Sequence, residues 1–151
     1  MDDEEKVIDV CKKTKRKRLS ADEFRAFYGK AIGYLCDKEN RYAEKLLKEM
    51  EERYSSSKEI SEMILLYDCQ MAYDIYINHN TERISDLKEL IKTEIPDEQK
   101  AVYYYRLAKL YKYAENKEET ILCLKKAKEN TKEKSAVTKI NKILSGNWDL
   151  L

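Results

Sequence analysis

A chain of 151 residues has the size of one domain, and 3 glycines and 1 proline against 39% charged residues leave it short of turn formers and rich in helix formers, which points to an all-α fold. With 30 basic and 29 acidic residues the net charge is +1, which excludes a global field steering nucleic acid or an anionic membrane toward the protein. No apolar run has the length of a signal sequence or a membrane span, so a soluble cytoplasmic protein is expected.

Residues 1–19 form an acidic and then basic N-terminal segment, and residues 20–151 are expected to form a single helical domain. Asp2, Asp3, Glu4 and Glu5 precede Val7, Ile8 and Cys11, which have the spacing of a short amphipathic helix. Then come Lys12, Lys13, Lys15, Arg16, Lys17 and Arg18, six basic residues in seven. Such a run suits a solvated linker, a contact to phosphate backbones or an acidic partner, or an import address. The acidic residues before it offset part of its charge.

Phe24, Phe27, Tyr28, Ala31, Ile32 and Leu35 make one stripe at helical period over about 21–36, with Ser20 and Glu23 as a capping box. Ala43, Leu46, Leu47, Met50 and Tyr54 repeat the pattern after a turn at 37–40, which completes a hairpin. After Ser55–Ser57, a second capping box, Ser56 with Glu59, opens a long helix with Ile60, Met63, Ile64, Tyr67, Met71 and Ile75 on its inward face. A turn at 78–81 leads to a shorter helix with Ile84, Leu87, Leu90 and Ile91 inward.

Pro96, Asp97 and Glu98 predict a new helix start, carrying Tyr103, Tyr104, Leu107, Ala108, Leu110, Tyr111 and Ala114. Asn116 with Glu119 caps its partner, which bears Thr120, Cys123, Leu124 and Ala127. Asn130 with Glu133 is the expected cap of a last helix through Val137, Ile140 and Leu144, ended by Gly146 and covering the stack.

The first and third hairpins match each other at a constant offset. Phe27, Ala31, Tyr34, Ala43, Leu47 and Met50 align with Tyr104, Ala108, Tyr111, Thr120, Leu124 and Ala127, each 77 residues on. That is two periods of about 38 residues, within the range of helix-pair repeats. The alternation of bulky and small residues resembles the tetratricopeptide-repeat (TPR) motif, with Tyr104, Leu107, Ala108, Tyr111, Thr120, Leu124 and Ala127 filling its places in order. Lys30 and Met50 depart from it, and the middle hairpin matches loosely through Tyr67, Met71, Leu87 and Leu90. The resemblance implies an α-α superhelix of about three TPR-like hairpins plus a C-terminal capping helix.

It also implies a concave wall, made by the first helix of each pair, that grips a protein or peptide. Carried onto this chain, the wall comprises Arg25, Tyr28, Ile32 and Leu35, then Asp68, Ala72 and Tyr76, then Val102, Tyr105, Lys109, Lys112 and Tyr113. Independently, 12 tyrosines against 2 phenylalanines place hydroxyl-bearing rings near the surface, either at core edges or in a recognition face.

Catalytic constellations are missing from the pattern. His79, the one histidine, sits in a turn, and adjacent carboxylates such as Glu51–Glu52 and Glu118–Glu119 do not face one another on a helix. Gly29, Gly33 and Gly146 form no phosphate loop. Cys11, Cys36, Cys69 and Cys123 include no pair at two-residue spacing, and reduced packing cysteines are expected. The expectation is a non-enzymatic, cofactor-free and metal-free binding module or adaptor, monomeric or homodimeric. The alternative is a peptide-sensing regulator resembling the helical-repeat halves of bacterial transcription regulators, with residues 12–18 touching nucleic acid.

Overall fold

A computed structural model of the chain describes residues 21–36, 40–54 and 60–151, whose regular elements are all helical, with no strand among the described residues. The all-α expectation holds for them. The chain divides into two compact units, Met1–Ile77 and Asn78–Leu151.

In the first unit, α1 (Ala21–Cys36), α2 (Asn40–Tyr54) and α3 (Ile60–Tyr76) pack on one another in all three pairings. Ala31, Tyr34 and Leu35 of α1 are buried with Ala43, Leu46, Leu47 and Met50 of α2 and Cys69, Met71, Ala72 and Ile75 of α3. The apolar spacing on α1 and α2 thus leads directly to the core, because residues three and four apart share one face.

On α3 the expectation is corrected. Met71 and Ile75 are buried, but Ile60 is 74% exposed and Ile64 59%, with Met63 and Tyr67 exposed beside them. Periodicity decides which side chains share a face; how far along the helix a neighbour covers that face is a tertiary matter. Ser20 of the first capping box, the capping box Ser56–Glu59, the helix around Val7, Ile8 and Cys11, and the basic run 12–18 all lie outside the described residues.

The second unit opens with a turn in which His79 adopts a left-handed backbone, φ 50°, and Asn80 Oδ1 accepts from the Glu82 amide at 3.1 Å. Four helices follow: α4 (Arg83–Ile91), α5 (Asp97–Tyr113), α6 (Lys117–Asn130) and α7 (Lys134–Leu144), then a single 3-10 turn, Trp148–Leu150. The α5–α6 pairing is the most extensive in the unit; α4 packs on α5, α7 on α6, and the 3-10 turn on α7.

Local chemistry explains most of these boundaries. Pro96 sits at the N-cap of α5, where its missing N–H costs nothing. Asn116 caps α6, its Oδ1 accepting from the Glu119 amide at 3.2 Å. Gly146, at φ 125°, turns the chain out of α7 through a backbone region that L side chains rarely enter.

The cap expected at Asn130 is not formed. Asn130 closes α6 and donates from Nδ2 to the Lys126 carbonyl at 2.8 Å, while α7 begins at Lys134 without a side-chain cap. The reason is non-local. Glu98, in the first turn of α5, accepts from Thr131 Oγ1 and from the Lys132 amide, both at 2.7 Å, and ties residues 131–132 to α5.

The two hairpins that match in sequence also match in structure. The offset of 77 carries 21–36 onto 98–113 and 40–54 onto 117–131, each within one residue of the observed helix bounds. Ala31 and Ala108, Tyr34 and Tyr111, Ala43 and Thr120, Leu47 and Leu124, and Met50 and Ala127 are buried in both members of every pair. Small residues at 31 and 108 let the helices of each pair approach closely.

Candidate functional site

The residues expected to form a contact wall separate into two groups, one in each unit. In the first unit Arg25 is exposed, Ile32 is half-buried, and Leu35, Ala72 and Tyr76 are buried. The Tyr28 hydroxyl donates to the Asp68 carboxylate, joining α1 to α3. Tyr76, Leu35 and Ala72 thus belong to the buried core of the first unit. The helical spacing that placed them on an inner face is the same spacing that buries them.

In the second unit the expected residues come together on α5. Tyr105, Lys109 and Lys112 follow at i, i+4 and i+7, so they lie along one face, with Val102 one turn before and Tyr113 one turn after Lys109. Val102 and Tyr113 are exposed, and the other three are half-buried. Lys139 of α7 stands 5.7 Å over the Tyr105 ring, and Lys126 of α6 stands 5.6 Å over Tyr104, so two of the three consecutive tyrosines meet cations from neighbouring helices. The third, Tyr103, is buried and accepts from Gln99 Nε2 at 2.9 Å.

Across this face lies the chain's own segment 148–151. Lys109 Nζ donates to a main-chain oxygen of Leu151 at 2.6 Å, and Lys112 Nζ donates to the Trp148 carbonyl at 2.7 Å. Leu151 is only 3% exposed, and Lys117 stands 6.0 Å over the indole of Trp148. Beside the indole a cavity of about 300 Å³ is lined by Lys112, Glu115, Lys117, Thr120 and Trp148.

His79 stands at the C-terminal end of α5. Its ring stacks on Tyr113 with centroids 4.5 Å apart and an interplanar angle of 14°. Burial, and then the positive charge of Lys109, hold its imidazole below the ordinary value of 6.5. Sequence reasoning treated His79 as a plain turn residue and passed over Trp148 and Leu151. A signal for the latter existed: the sole tryptophan and two leucines stand together just after the helix-ending Gly146.

No protein-family model, curated protein or solved structure matches this chain. What the site can do is therefore read from its chemistry. Among the described residues no cluster of His, Cys, Asp or Glu is arranged to hold a metal ion. Cys69 and Cys123 are buried, and burial pushes the Cys123 thiol up to about 11, so it is held as the unreactive thiol. No helix among the described residues is long and apolar enough to cross a membrane.

Proposed function

We propose that the protein is a protein- or peptide-binding module, using the α5 face of the second unit to hold a polypeptide segment. One observation carries this reading: Lys109 and Lys112, expected at contact positions, donate to the main-chain oxygens of Leu151 and Trp148 in a segment lying across the face, at 2.6 and 2.7 Å. Donors aimed at backbone carbonyls are suited to polypeptide, because every residue of a partner offers such an acceptor. Half-buried tyrosines next to them add amphipathic contact area of the kind enriched at interfaces. The TPR-like spacing supports the reading, since its first helices line a groove; the superhelix and the adaptor role belong to the same proposal.

The test is a selection of displayed peptides on the intact chain, followed by titration of the selected peptides against the Tyr105→Ala, Lys109→Ala double variant. Binding should weaken at least tenfold while helicity by circular dichroism is retained. Equal affinity for both proteins would remove the α5 face as the contact surface.

A further inference from the structure

The segment lying across α5 gives the chemistry of what this face accepts. We infer that residues 148–151 act as a resident ligand of the α5 face, and that a partner carries an aromatic residue followed three positions later by an aliphatic one and binds by displacing them. This deepens the peptide-binding reading above and rests on it.

The contacts divide by role. The ammonium groups of Lys109 and Lys112 hold main-chain oxygens of Leu151 and Trp148, so these two bonds do not depend on side-chain identity. Selectivity comes from the two side chains: the Trp148 indole under Lys117, and Leu151, which is almost fully buried. A tight turn sets their spacing, with the Leu151 amide donating to the Trp148 carbonyl at 3.1 Å. One turn of this kind places residues three apart on the same side.

One feature marks this occupant as replaceable. The seat is incompletely filled, since the 300 Å³ cavity beside Trp148 is roomy enough for a further side chain. The resident segment has the advantage of its tether. Ser145, Gly146 and Asn147 join it to α7, and a short connection of this kind gives an effective concentration in the millimolar range.

The test uses a fluorescein-labelled peptide with the sequence of residues 144–151, titrated against the intact chain and against the Trp148→Ala, Leu151→Ser variant. The variant, its own segment unseated, should bind at least tenfold more tightly than the intact chain, and a peptide with serine at both anchor positions should bind neither. Equal binding by both proteins would overturn the resident-ligand inference and leave the peptide-binding reading standing. Binding by neither, with helicity retained, would overturn both.

A second measurement needs no variant. Trp148 is the sole tryptophan, so its quenching by iodide reports the seat directly. An unlabelled peptide carrying phenylalanine in place of the tryptophan, added at millimolar concentration, should raise the Trp148 quenching constant at least twofold; an unchanged constant would overturn the inference.

Discussion

Glu98 is exposed, yet its carboxylate accepts from both the Lys132 amide and Thr131 Oγ1, and these bonds hold its pKa below the ordinary 4.5. The folded value lies below the unfolded one, so the stabilisation is complete above the unfolded pKa and is lost as pH falls through the folded one. Glu98→Gln should therefore lower the urea midpoint at pH 7, with the difference fading below about pH 4; a difference constant with pH would assign the effect to shape and not charge. Cys123 makes the opposite case, a thiol kept neutral by burial. Iodoacetamide at pH 8 should leave Cys69 and Cys123 unmodified in the native chain and label both in urea, as read by peptide mass mapping. The burial of both was legible in sequence from their place on apolar stripes, whereas the Glu98 bonds were not, because they join residues 33 and 34 positions apart and leave no local pattern.

At the scale of the element, boundaries set by local chemistry were readable and boundaries set by tertiary contact were not. Asn116, Pro96 and Gly146 act on backbone within a few residues of themselves, and all three mark helix ends where expected. Asn116→Ala should cost about 1 kcal/mol through the lost cap on α6, measured as a shift in denaturation midpoint. Gly146→Ala should cost about 1–3 kcal/mol, although open space surrounds the position, because the penalty is in the backbone at φ 125°. The failed cap at Asn130 and the exposed first turns of α3 are the counterpart. In both places the residue pattern allows the expected arrangement and a contact from elsewhere in the fold, or its absence, decides the outcome. The face on α5 belongs partly to each class: spacing aligned Tyr105, Lys109 and Lys112, but nothing near them in sequence announces that a segment 36 to 42 residues downstream covers the lysines.

For the molecule as a whole, the matching offset means that one helix-pair pattern is used twice, once in each compact unit. The second unit has its own buried set in Leu87, Leu107, Leu110, Leu124, Ile140, Ile143 and Leu151, drawn from every helix from α4 to α7 and from the segment beyond. Domains of about 60 residues commonly fold alone, though with little stability to spare. Residues 78–151 expressed by themselves should accordingly unfold in one cooperative urea transition, with Trp148 emission and helicity changing together. Leu124→Ala in that fragment removes a fully buried side chain at a cost of about 2–5 kcal/mol, a large share of what so small a core supplies, and should abolish the transition. A fragment whose signal drifts without a transition would show that this core does not suffice. The seat for residues 148–151 would then have to be tested only in the full chain, where Trp148 still reports on it alone.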